Sequence, residues 1–68
     1  MNGWYKLYTT RNAAEANIIK GMLEKNQVPV VIFNRQDSSY LAFGEIDLYV
    51  QPHFIEIAKQ LLDKALLN

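Results

Sequence analysis

No cysteine occurs in these 68 residues, which excludes disulfides and thiolate metal sites as ways of holding the chain together. Stability must come from packing. A chain of this length buries only about 60% of the surface its unfolded form exposes, so help from self-association is expected. Excess charge is missing too. Seven basic residues balance seven acidic ones, and they are scattered, so no long-range field steers the chain toward nucleic acid or an anionic membrane. Formal neutrality also leaves little repulsion against association. No apolar run approaches the roughly 18 residues of a membrane span. No basic region followed by an apolar stretch opens the sequence. The expectation is a soluble, cytoplasmic chain of bacterial style, with residues 1–68 forming a single domain.

Catalytic equipment is equally sparse. His53 is the sole histidine, and it falls in the first turn of a predicted helix, a usual place for an exposed capping residue and an unusual one for a general base. No Ser-His-Asp set and no glycine-rich phosphate loop can be found. Asp37, Glu45, Asp47 and His53 have no spacing that suits a metal. The chain is therefore expected not to be an enzyme and to need no cofactor.

What is present is periodicity. From Trp4 to Thr9, Tyr5 and Leu7 alternate with Trp4, Lys6 and Tyr8, the period of two that marks a strand. Asn12 and Glu15, three residues apart, form a capping box opening a helix, whose apolar face carries Ala16, Ile19, Met22 and Leu23. Gly21 sits inside it, either to permit close approach to the sheet or as a tolerated glycine. The helix ends near Asn26, which tolerates a left-handed cap. Val28 to Asn34 reads as a nearly all-apolar strand with Pro29 at its entrance. Ile46, Leu48 and Val50 alternate with Asp47, Tyr49 and Gln51 in a third. Pro52 begins a second helix, with Phe54, Ala58, Leu61 and Ala65 as its stripe and Ile57 and Leu62 at its flanks. The prediction is an α+β, ferredoxin-like β-α-β-β-α domain: a three-stranded antiparallel sheet of order 1-3-2 with two helices on one face.

The Trp4-Tyr-Lys-Leu-Tyr-Thr-Thr opening, Ala14-Glu-Ala16, Ile19-Lys-Gly-Met-Leu-Glu24, Val28-Pro-Val and Leu48-Tyr-Val-Gln-Pro52 carry a resemblance over nearly the whole chain. The sequence resembles the small bacterial family of prokaryotic signal-transducing proteins, whose label rests on likeness to the nitrogen-regulatory PII proteins. The resemblance implies a ferredoxin-like fold and a regulatory or binding role, and it brings no catalytic residues and no ligand. The sequence departs from the family's pattern at Gln27, where members often place glycine, and after Asn34, where they often have more glycines.

Two features are the candidates for function. The link from Arg35 to Glu45 is long for a hairpin connection. In it Arg35 could pair bidentately with an anion, Asp37, Ser38 and Ser39 offer polar contacts, and Tyr40 or Phe43 a lid. In the PII proteins the signalling loop occupies the corresponding link. Alternatively, Tyr40, Leu41 and Phe43 fold back over exposed sheet while Asp37, Ser38 and Ser39 make a turn. The second feature is the sheet face away from the helices. Parity places on it Trp4, Lys6, Tyr8, Val31, Phe33, Asp47 and Tyr49, with Lys6 expected to pair with Asp47. Such a face suits a homodimer or trimer, or another protein partner. Tyr8 and Tyr49 on adjacent strands would also resemble the stacking pair of an RNA-binding sheet, though the positive surround of a single-strand binder is absent. The functional expectation is a regulatory module that engages a small molecule or a protein through the link and this face. The alternative is a purely structural oligomerisation domain.

Overall fold

The computed structural model describes residues 3–36 and 44–66. Its elements are β1 (Tyr5–Thr10), α1 (Ala13–Lys25), β2 (Val31–Asn34), β3 (Ile46–Val50), a 3₁₀ turn (Pro52–Phe54) and α2 (Ile55–Leu66). The strands form one antiparallel sheet of order β1-β3-β2, the α+β arrangement predicted. Both helices bury residues in one core, Ala16, Ile19 and Leu23 from α1 and Ala58 and Leu62 from α2, against Ile46, Leu48 and Val50 of the central strand. Leu48, fully buried and flanked by Tyr8 and Ile32 on the neighbouring strands, is the middle of that layer.

Local chemistry explains where each element starts and stops. Asn12 Oδ1 accepts from the Glu15 backbone amide at 3.1 Å, as the capping sequence requires. The Glu15 carboxylate does not return to Asn12. It accepts from Thr10 Oγ1 at 2.6 Å and from the Tyr8 hydroxyl at 3.3 Å, while the Asn12 amide donates to Thr10 Oγ1 at 3.1 Å. The first turn of α1 is thereby tied to the end of β1 rather than closed on itself. Gly21 is exposed, and a Cβ there would meet nothing within 4 Å, so it does not serve close approach to the sheet.

The end of α1 corrects the expected cap. Asn26 has φ −94°, and the left-handed residue is Gln27, at φ 64°. The Gln27 amide donates to the Glu24 carbonyl and the Val28 amide to the Leu23 carbonyl, both at 2.9 Å, which is the Schellman pattern, with buried Leu23 and Val28 as its apolar pair. A side chain in the left-handed region costs about 1 kcal/mol. Gln27→Gly is therefore expected to raise the thermal midpoint by roughly 4–8 °C, read by circular dichroism; an unchanged or lower midpoint would mean that Gln27 makes a compensating contact.

The same cap shortens the second strand. The Val28 amide is already bonded to Leu23 and Pro29 has no amide hydrogen, so pairing begins at Val31 rather than Val28. Val28 and Val30 are buried all the same, with Ile32 packed against the same core. Pro52 opens the 3₁₀ turn, and α2 proper begins three residues later. The stripe of α2 is also rotated from the predicted one. Ala58 and Leu62 are its buried centre, Phe54, Ile55 and Leu61 are half-buried, and Ile57 and Ala65 are exposed.

Candidate functional site

The sheet face away from the helices is built from two cross-strand rows, because residues directly opposite in an antiparallel pair share a face. Lys6, Tyr49 and Val31 make one row, and Thr9, Asp47 and Phe33 the other. Tyr8 belongs to neither. The register shifts between Lys6 and Tyr8, so that Leu7 and Tyr8 together oppose Leu48, and both pack against the core. This bulge turns the rest of β1 over: Tyr8, expected on the open face, lies on the helix side, and Thr9 takes the open-face position. Burial and the Glu15 carboxylate that it faces raise the Tyr8 hydroxyl above the ordinary phenol range, keeping it a proton donor to Glu15. With Tyr8 and Tyr49 on opposite faces, the adjacent stacking pair of an RNA-binding sheet does not form.

Asp47 is the centre of the open face. It is 2% exposed, the sole buried charged side chain among the described residues, and a buried carboxylate must be fully partnered. Arg35 supplies a two-pronged contact, Nε to Oδ2 at 3.0 Å and Nη2 to Oδ1 at 3.1 Å. Thr9 Oγ1 donates to Oδ1 at 2.8 Å, and the Lys6 ammonium lies 3.9 Å from Oδ2, the pairing expected from the sequence. Burial by itself raises the Asp47 carboxyl, but the hydrogen bonds from Arg35 and Thr9 and the charges of Arg35 and Lys6 outweigh it and hold the group below the usual carboxylate range.

Arg35 also closes the neck of the long link. Its amide donates to the Glu45 carbonyl at 2.9 Å, and its Nη2 reaches Glu45 Oε1 at 3.3 Å. Between them Gly44, at φ 95°, brings the returning chain so near that a Cβ would sit 2.6 Å from the Arg35 carbonyl oxygen, so this position requires glycine. On the departing side the Gln36 amide donates to Asn34 Oδ1 at 2.8 Å, and its side-chain amide crosses to the Arg11 carbonyl at 2.7 Å. The link is pinned at both ends, by residues of β3 and of the β1–α1 turn.

Phe33 stands beside this clamp and is 52% exposed, with Val31, Tyr49 and Trp4 partly covered. Of the expected site residues, Phe33, Arg35 and Tyr49 are brought together on this face. Asp37, Ser38, Ser39, Tyr40 and Phe43 lie outside the described residues. The Nε and Nη2 donors of Arg35 are taken within the chain, by Asp47 and Glu45, and so do not form a free fork for an anion. Thr9 was not foreseen, because strict alternation assigns it to the other face. His53 is exposed, with its ring 4.3 Å from that of Phe54. Among the described residues no three His, Asp or Glu side chains gather as a metal site, and no helix is long and apolar enough to cross a membrane.

A family model described as "Putative prokaryotic signal transducing protein" matches residues 4–65. The chain belongs to this family. No curated protein and no solved structure matches it. The matched stretch includes both open-face rows and both ends of the pinned link, so the clamp lies within the family's own domain and not in an appended segment.

Proposed function

We propose that the chain is a regulatory binding module, not an enzyme, that receives a protein partner on the open sheet face beside the Arg35–Asp47 clamp. The observation that carries this reading is Phe33, a large apolar side chain left half-exposed on a strand next to a charge cluster that is internally neutralised. An apolar anchor rimmed by satisfied polar groups is the make-up of a protein-docking surface. A small anion is the less favoured occupant, because a two-pronged grip on Arg35 would have to displace Asp47 or Glu45 from its Nη2 or Nε donors. The family's signal-transducing description agrees with a module of this kind, and a signalling use of the β2–β3 link, which the resemblance to the PII proteins implies, would suit a clamp that fixes where the link leaves the fold.

A photo-crosslinking amino acid placed at position 33, and in separate chains at exposed Ile18 and Ile57, tests the reading in the host cell. A discrete heterologous protein adduct is expected from position 33 alone, and Phe33→Ser should reduce capture by a probe at neighbouring Val31 while changing the thermal midpoint by only a few degrees, roughly. Equal or stronger capture from a helix position would move the docking surface off the sheet. Adducts containing only a second copy of the chain would favour the structural oligomerisation domain.

A further inference from the structure

We infer that β1 pairs edge to edge with the β1 of a second copy, antiparallel about a two-fold axis between Leu7 and Tyr8, joining two sheets into one. The inference is independent of the docking face proposed above. Among the described residues the sheet has two edges, β1 and β2, and they are not equivalent. The β2 edge is four residues long, is preceded by Pro29, and follows an amide at Val28 already bonded to Leu23, features that blunt an edge. The β1 edge runs for six residues without proline, broken only by the bulge at Leu7–Tyr8, and carries a single charge, that of Lys6. An edge of that length offers unpaired backbone donors and acceptors to another strand.

The choice of a second copy follows from the bulge. Because Leu7 and Tyr8 share a face, the side-chain pattern along Tyr5–Thr10 reads helix side, open side, helix side, helix side, open side, helix side. That pattern is the same in both directions. An antiparallel copy aligned with Tyr5 opposite Thr10, Lys6 opposite Thr9 and Leu7 opposite Tyr8 therefore matches faces at every one of the six positions. A shift of one residue either way sets core-facing against open-facing side chains, which strand pairing does not tolerate when one face is buried. In the matched register Lys6 meets Thr9 of the other copy, the residue that holds Asp47. The one cation on the edge thus has an uncharged hydroxyl, and no like charge, directly opposite it. With a formal net charge of zero, no overall repulsion opposes the pairing. Both helical layers fall on the same side of the joined sheet, which keeps the two open faces continuous.

The absence of cysteine makes the register directly testable. Lys6→Cys and Thr9→Cys chains are oxidised separately and as an equimolar mixture, after circular dichroism has established that each is folded. A covalent dimer is expected from the mixture and not from either alone, since identical positions lie about three residues apart along the paired strands, roughly 10 Å. The unmodified chain provides the second measurement. It should sediment at twice the monomer mass at about 1 mM and shift toward monomer near 10 µM, roughly, with amide exchange in Tyr5–Thr10 slowing as concentration rises. A monomer throughout this range overturns the inference. So does a dimer whose β1 amides exchange independently of concentration, or one in which single-cysteine chains cross-link as well as the mixture does.

Discussion

Arg35→Ala is expected to lower the thermal midpoint by about 10 °C, whereas Arg35→Met combined with Asp47→Leu recovers most of that loss. The asymmetry is the test. Removing Arg35 leaves the Asp47 carboxylate, 2% exposed, with Thr9 and a more distant Lys6. An under-partnered buried charge is far more costly than the absence of the pair. The loss stays modest because the arginine side chain is 43% exposed and water screens its share of the interaction. Acid should expose the same linkage. Asp47 titrates lower in the folded chain than its unfolded value of about 3.9, so its contribution is complete above that value and is lost as pH falls through the lowered folded one. In Arg35→Ala the largest opposing influence is gone and burial pushes the carboxyl upward, so acid unfolding should begin at a higher pH than in the wild type. If the single variant melted and acid-unfolded like the wild type, the clamp would have no part in holding the link to the sheet.

Leu48→Ala should be the more damaging change. Leu48 is fully buried in the central strand, between Tyr8 and Ile32 and beneath both helices, so little can collapse into the space it vacates. A truncation of this kind costs about 2–5 kcal/mol, while a chain of this length has roughly 3–10 kcal/mol in all. The variant is expected to be largely unfolded at 37 °C or to melt without a cooperative transition, followed by circular dichroism. Ile57→Ala, on a side chain that is 48% exposed, should stay within about 0.5 kcal/mol of the wild type. Similar midpoints for the two would mean that the core does not centre on the middle strand.

How legible the molecule was in its sequence depended on the range of the interaction concerned. The Asn12 cap, the alternation of Ile46, Leu48 and Val50, and the apolar face of α1 are set by residues within a few positions of one another, and each appears in the structure where the pattern puts it. The Lys6–Asp47 pairing was legible as well, because strand order and parity were enough to bring the two together. Gln27 was the first failure. The left-handed position is chosen by which amide reaches the Leu23 and Glu24 carbonyls, and a general preference for Asn pointed one residue too early. Tyr8 and Thr9 were the second, because one extra residue in a strand reverses every later side chain and only the partner strand reveals it.

By itself the sequence determined the element order, the α+β class and the surfaces each element must bury, since local periodicity and capping depend on near neighbours. The tertiary structure alone decided that Thr9 and not Tyr8 faces Asp47, that Arg35 is engaged within the chain rather than open to an anion, and that β1 carries a face pattern matching its own reverse. Each of these is set by β1–β3 pairing across about forty residues or by the return of the β2–β3 link. Their partners meet only when the whole sheet has closed.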